Sequence, residues 1–289
     1  MPLTVLPLES RHMSGRFDMF AELVRSLGHC GMRLARGDIL AVSTKYASYA
    51  EGRIIDVRGV RASAQARRLS GRYGLSREMA ELVLRESDRV LGGVAGFVMA
   101  ASAPFRPPPA EPPPTGHGAR RTANRAAGAP PRHGLLLAPN AGIDLSNARR
   151  GMAVLYPDSP YGTAELLRRK ILLGLGVAVG VILVDSRLMP ARVGTSGVAV
   201  AHAGMEPVRD ARSRPDLEGN PLKVTFQAAS DSMATVANHV MGEAAESVPF
   251  VIIRDSGIPL TGRRPGPSET AVPAGQCVYV RGLSYPGAV

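Results

Sequence analysis

Residues 135–151, LLLAPNAGIDLSNARRG, change character part-way. The first five are apolar or small and read as a buried strand. Asn140, Asp144, Ser146 and Asn147 then crowd into one turn. Such side chains either hydrogen-bond their own backbone, as Asx turns do, or hold something charged. Gly142 lets the backbone bend between strand and turn.

Outward from this stretch, strand and helix signals alternate. Upstream, LTVLPL, GDILAVS and EGRIIDV read as strands. FDMFAELVRSLG reads as a helix with Phe17, Phe20, Ala21 and Val24 on one face. ASAQARRLSGRYG and SREMAELVLRESDRV read as two further helices, the second capped by Ser76 with Glu78 and Glu81 in its first turns. GFVMA and HGLLLAP flank an insertion and read as a hairpin with a lengthened tip. Downstream, Asp158 and Ser159 precede Pro160, a good start for the helix YGTAELLRRKILLGLG. AVGVILVDS is a buried strand ending on a polar pair, and GVAVAHAG and PLKVTFQAAS are further strands. DSMATVANHVMGE is a helix opening on Asp231, and VPFVIIR closes the core. The pattern predicts an α+β fold with mixed sheets.

The chain has 289 residues and 45% hydrophobic content, enough for one large domain or two smaller ones. The expected organisation is one folded domain over residues 1–254, carrying an insertion at 101–132, and a Gly/Pro-rich tail over 255–289. The longest apolar run, ILLGLGVAVGVILV, is interrupted by Gly174, Gly176 and Gly180, so no membrane span is expected. Cys30 and Cys277 lack metal-ligand spacing, which fits a reducing cytoplasm and leaves a disulfide between them open.

A formal charge of +11 invites a nucleic-acid reading. Five of the arginines, however, fall in residues 101–132 with nine prolines and one acid, the composition of a disordered insertion. Aromatic content of 4% is too low for a base-stacking platform. Nucleic acid is therefore not the expected partner, and small anionic ligands explain the surplus as well.

The common nucleotide signatures are missing. No phosphate loop of the GxxxxGK[ST] type occurs, and GLGVAVG has the wrong glycine spacing for a dinucleotide fingerprint. His202 or His239 could join a serine and an aspartate, but no serine sits in a nucleophile elbow. Asp144, Asp185 and Glu243 stand out more. Each has an ordinary explanation as a turn former, a strand-end cap or a solvated carboxylate. Glu243 is the least comfortable, because a carboxylate in the last helical turn opposes the helix dipole and Glu246 adds a like charge. Three carboxylates and the Ser186 hydroxyl would suit a hard divalent ion that bridges substrate phosphates.

NAGIDLSN, VGVILVDS, ANHVMGE and the upstream AEGRI, in this order, resemble the coenzyme F-420:L-glutamate ligase family. The resemblance implies an α+β, gamma-glutamyl ligase-like fold forming an intertwined homodimer. It also implies a GTP-dependent ligase that adds L-glutamate to the deazaflavin coenzyme F-420-0 through a γ-glutamyl amide, with Mg2+ or Mn2+ (two ions) and K+. By motif, Asp144, Asp185, Ser186 and Glu243 match its metal ligands. Asn147 matches a nucleotide contact, and Thr44 falls where the family touches the nucleotide. Residues 241–248, including Met241, Gly242, Ala244 and Ala245, match a loop that wraps it. Arg192, two residues before Gly194, matches an arginine near the phosphate or acceptor site.

The chain also departs from the family. Tyr49 stands where the family has a nucleotide-contacting lysine, and Ser10, Arg11 and His12 replace its N-terminal nucleotide loop. Lys45 or Arg11 is expected to compensate. These departures keep two alternatives in view: a ligase using ATP or a pterin-type acceptor, and a non-catalytic ligand-binding homologue.

Overall fold

The computed structural model describes residues 2–102, 136–263 and 266–283. The order is β1 (Thr4–Leu8), α1 (Met19–His29), β2 (Ile39–Ser43), α2 (Thr44–Glu51), β3 (Ile54–Asp56), α3 (Ala64–Tyr73), α4 (Arg77–Glu86), β4 (Arg89–Val94) and β5 (Phe97–Ser102). There follow β6 (Leu136–Pro139), β7 (Met152–Val154), α5 (Pro160–Leu175), β8 (Gly180–Leu188) and β9 (Thr195–Ala203). The described chain ends with β10 (Val208–Asp210), β11 (Phe226–Ala228), α6 (Ala229–Met241), β12 (Phe250–Arg254) and α7 (Val278–Leu283).

The main sheet has the order β1-β12-β2-β8-β9, with β2 and β8 parallel and its other neighbours antiparallel. Both its faces are covered, so its central strands read as continuous apolar runs whose alternate residues serve different cores. Leu40, Val42, Val181, Leu183, Phe250 and Ile252 face α1, α2 and α5. Their neighbours Ile39, Ala41, Ile182, Val184, Val251 and Ile253 face α6. Each large side chain buried here contributes about 1.5–3 kcal/mol. Gly197 on β9 lets α6 approach, because a Cβ there would collide with the Ala234 carbonyl oxygen.

A third core joins α3 and α4 to the sheet β4-β5-β6 and the ribbon β3-β7, through Val60, Met79, Val83, Val98, Ala100, Ile143 and Leu155. The architecture is thus α+β with mixed and antiparallel sheets, as expected. The anticipated hairpin is present: β5 pairs antiparallel with β6, Met99 opposite Pro139 and Ser102 opposite Leu136. The expected insertion lies outside the described residues except at its start, where Ala101 and Ser102 complete β5.

Several elements differ from the sequence expectation. Helix α1 begins at Met19 because Asp18 caps it, accepting from the amides of Phe20 and Ala21. It buries Glu22, Leu23, Ser26 and Leu27, leaving Ala21 and Val24 exposed. Ser76 caps α4 through the Met79 amide, but the helix stops at Glu86 and the next residues form β4. Strand β8 does not end on Asp185; its ladder with β9 continues to Leu188 opposite Thr195. PLKVTFQAAS is not a core strand. Phe226–Ala228 pair with β10 in an exposed two-stranded arm, and Pro221 and Leu222 continue the contact at Pro215, Ser213 and Arg214. Helix α6 starts at Ala229, two residues before Asp231, whose carboxylate instead accepts from the Ala199 amide.

The described part of the tail folds back beside β9, where Leu260 bridges Met205 and the Thr261 amide donates to Gly204. There His202 is 2% exposed and Nε2 lacks a hydrogen-bond partner among the described residues. Glu269 lies 3.7 Å from it, while Tyr161 meets the ring edge-on. Burial and the nearby Arg263 guanidinium push this imidazole down from 6.5 to about 4. Among the described residues no serine hydrogen-bonds this imidazole. Cys30 and Cys277 are both free thiols. Among the described residues no helix is long and apolar enough to cross a membrane.

Candidate functional site

A cavity of about 530 Å³ lies between the main sheet and the turn that follows β6. Asn140, Ala141 and Gly142 all have positive φ, so the chain turns sharply as it leaves the strand. The turn is fixed from several sides. Asn140 Oδ1 accepts from the Val98 amide at 3.0 Å, and Asp144 exchanges two backbone hydrogen bonds with Val154 at 3.0 and 2.8 Å. A Cβ at Gly142 would collide with the Tyr156 ring, so this position requires both the conformation and the size of glycine.

The turn delivers Asp144 to the cavity wall with its carboxylate already engaged. Oδ1 accepts from the Ser146 amide at 2.6 Å, and Oδ2 pairs with Lys45 Nζ at 2.7 Å. Lys45 also donates to the Ser146 carbonyl and hydroxyl at 3.1 and 2.9 Å. Burial works to raise the Asp144 carboxyl, but Lys45 and Ser146 outweigh it and hold it below the usual range. Asn147, at φ 51°, donates through Nδ2 to the Ala244 carbonyl at 3.0 Å. Its own carbonyl accepts from the Tyr49 hydroxyl at 3.1 Å. The turn is thereby tied to α2 and to the loop after α6.

Asp185 reaches the same cavity from inside β8. Its Oδ2 accepts from the Tyr156 hydroxyl and lies 3.4 Å from Arg187 Nε. Burial pushes this carboxyl up; Arg187 and Tyr156 oppose the shift, and the Asp144 charge adds to it. The two carboxylates therefore sense one another across the cavity.

Ser186, Glu243, Met241, Gly242, Ala244 and Ala245 also line the cavity. Glu243 is not in the last helical turn. Helix α6 ends at Met241, and Glu243 follows the Gly242 cap, accepting from Thr195 Oγ1 at 3.0 Å and Asn238 Nδ2 at 2.9 Å. These two donors relieve the conflict with the helix dipole. Glu246 folds onto its own loop, accepting from the Ala244 amide at 2.8 Å.

Two predicted contacts lie elsewhere. Thr44 is buried beside the cavity, its hydroxyl donating to the Val184 carbonyl at 2.7 Å. Arg192 is exposed in the β8–β9 connection and is not part of the cavity lining. Of the expected compensating cations, Lys45 is committed to Asp144 and Arg11 to the buried Glu22 at 3.2 Å. Sequence reasoning misses Arg149 on the cavity wall, and Tyr156 and Arg187 behind it. A signal for Arg187 is present: residues two apart on a strand share a face, so it belongs with Asp185.

The donor chemistry fits a hard divalent ion, since Asp144, Asp185, Ser186 and Glu243 offer oxygen alone. Among the described residues no group of three His, Cys, Asp or Glu side chains forms an all-protein cage.

The α+β body thus gathers three carboxylates, a lysine and the loop after α6 around one polar cleft. The model of the F420-0:Gamma-glutamyl ligase family matches residues 8–255, and the chain belongs to that family. It is 32% identical to the coenzyme F420:L-glutamate ligase of Methanothermobacter thermautotrophicus over 255 residues, covering 88% of this chain and 89% of the relative. It is 33% identical to the enzyme of that name from Archaeoglobus fulgidus over 254 residues, 88% of each chain. The Methanopyrus kandleri protein of the same name is 32% identical over 249 residues, 86% of this chain and 84% of that one.

Proposed function

We propose that the chain is a GTP-dependent amide ligase that joins L-glutamate to coenzyme F420-0 through a γ-glutamyl link. The supporting observation is the meeting of Asp144, Asp185, Ser186, Asn147 and residues 241–245 on one cavity, from three separate parts of the chain. Family membership and relatives named coenzyme F420:L-glutamate ligase support the substrate assignment.

The acceptor carboxylate attacks the γ-phosphorus of GTP, forming an acyl phosphate and releasing GDP. The glutamate amine then attacks the acyl carbon, loses a proton and displaces inorganic phosphate. Both steps need positioning and charge neutralisation more than covalent help from the protein. Asp144, Asp185, Ser186 and Glu243 would hold Mg2+ or Mn2+, which when bound would neutralise phosphate charge; K+ is the further proposed cofactor. Lys45 holds Asp144 ionised, and Asn147 ties the turn to the loop at Ala244. Thr44 and Tyr49 act as supports, fixing α2 to β8 and to the Asp144 turn. Arg192 is assigned to the acceptor side, outside the nucleotide cavity.

The working form is a homodimer in the cytoplasm, with residues 1–254 as the catalytic domain. Exposed Leu217, Val224 and Phe226 on and beside the β10–β11 arm support association.

The test is incubation of the purified chain with GTP, Mn2+, L-glutamate and F420-0. Amide formation matched by GDP release is expected; its absence with GTP would overturn the assignment. One observation favours a second reading, a ligase of altered nucleotide choice: Tyr49 offers no cation, and Lys45 is already paired. A larger Mn2+-dependent thermal shift with ATP than with GTP would select it.

A further inference from the structure

Behind the cavity lies a contact network that neither the relatives' names nor the motif assignments explain. Tyr156 donates its hydroxyl to Asp185 Oδ2, and Arg187 Nη2 donates to the same hydroxyl at 3.0 Å. Arg187 Nε lies 3.4 Å from Oδ2, and its Nη1 donates to the Leu137 carbonyl on β6. The guanidinium carbon stands 5.8 Å from the Tyr156 ring centroid. The Tyr156 ring also fills the space that a Cβ at Gly142 would need. Arg53 Nε donates to the Tyr156 carbonyl at 2.9 Å.

This network has two consequences. All its contacts to Asp185 go to Oδ2, and Oδ1 receives no hydrogen bond from a described residue. One carboxylate oxygen is therefore fixed and the other is left for the cavity. The same two side chains also meet β6 at Leu137 and the turn that follows it at Gly142, so they join the two carboxylate-bearing elements across the seam. Arg187 has 11% of its side chain exposed, against 26% for Asp185, which places it behind the carboxylate.

We propose that Tyr156 and Arg187 are a positioning pair: they fix the orientation of the Asp185 carboxylate and its register with the Asp144 turn, presenting Oδ1 to a divalent ion. This rests on the metal-dependent ligase reading for the identity of the ion, and not for the orientation of Asp185. Outer contacts that orient a metal-binding carboxylate commonly change metal affinity by about 10–100-fold.

The test compares wild type with Tyr156→Phe, which removes one hydroxyl and keeps the ring against Gly142. Mn2+ binding is measured by electron paramagnetic resonance without substrates, and the Asp185 rotamer by crystallography. Expected are Mn2+ binding weaker by about tenfold or more, a reoriented Asp185 carboxylate and an unchanged overall fold. Arg187→Lys, which keeps the charge and loses the fork, should lie between the two and serves if Tyr156→Phe does not fold. An Asp185 rotamer unchanged in the variants overturns the proposal, as does a reoriented carboxylate with wild-type Mn2+ affinity. Wild-type protein that binds no Mn2+ refutes the ligase's metal assignment instead; the Asp185 rotamer in the variants then still decides for or against the pair.

Discussion

Asp144 and Asp185 border one cavity but are held in opposite ways. Asp144 stands in a turn, 43% exposed, with Lys45 and the Ser146 amide holding its carboxyl low. Asp185 stands inside a strand, and burial drives its carboxyl up while Tyr156 and Arg187 resist. The turn carboxylate is kept charged by a partially exposed lysine, which a ligand can displace at little cost. The strand carboxylate is kept in place by partners that are mostly shielded from solvent, and losing it leaves a cation with 11% of its side chain exposed without its counter-charge.

Removing each carboxylate tests the contrast most severely. Asp185→Asn should lower stability by about 2–3 kcal/mol, because Arg187 then loses a partly buried counter-charge. Asp144→Asn should cost under about 1 kcal/mol, because an exposed pair is screened by water. Denaturant unfolding of the two variants measures this, and equal losses would break the contrast. Both should reduce Mn2+-dependent turnover, by more than the roughly 100-fold upper end seen for outer contacts.

The next effect lies away from the cavity, at His202. Its pKa is lowered on folding, so the unfolded chain takes up a proton at a pH where the folded chain does not. Stability should therefore fall as pH drops from 6.5 to about 4, and this contribution should level off below that. Its total is about 3 kcal/mol, since each tenfold change in proton affinity is worth roughly 1.4 kcal/mol. Chemical denaturation of wild type and His202→Gln across this window checks it; equal slopes would show that another group titrates. If the slope belongs to His202, Asp144 can be separated from it, since a lowered carboxyl loses its contribution only as pH falls through the more acidic carboxylate range.

A smaller effect is expected at the joint between the two carboxylates. Gly142→Ala should destabilise by about 1–3 kcal/mol, from a side chain at φ 73° and from contact with the Tyr156 ring. It should also weaken Mn2+ binding, because the ring supports Asp185. A wild-type melting temperature and Mn2+ affinity would show that the joint yields freely.

Much of the main sheet is legible because a strand buried on both faces is written as an apolar run, as in ILAVS and FVIIR. Helix α2 is not, since TKYASYAE has weak amphipathy and its N-cap Ser43 makes no side-chain cap bond. The α1 face differs from its periodicity because Glu22 and Ser26 are buried where the pattern favours apolar residues. PLKVTFQAAS reads as one full strand, though only its end forms β11, because Val, Thr and Phe have the same strand preference in an exposed arm as in a core. At the site, NAGIDLSN is legible as a turn and as a family motif. What is not legible is that Lys45, 99 positions earlier, closes on Asp144, or that Tyr156 meets Asp185. Such contacts depend on how the cores join, which no local pattern encodes.

The most direct measurement is calorimetric titration of GTP, with and without Mn2+, into wild type and Asp144→Asn. Mn2+ should strengthen GTP binding to the wild type and have little effect on the variant, while both proteins stay folded. Equal Mn2+ enhancement in the two, or none in the wild type, would contradict a metal–nucleotide site at the Asp144 turn.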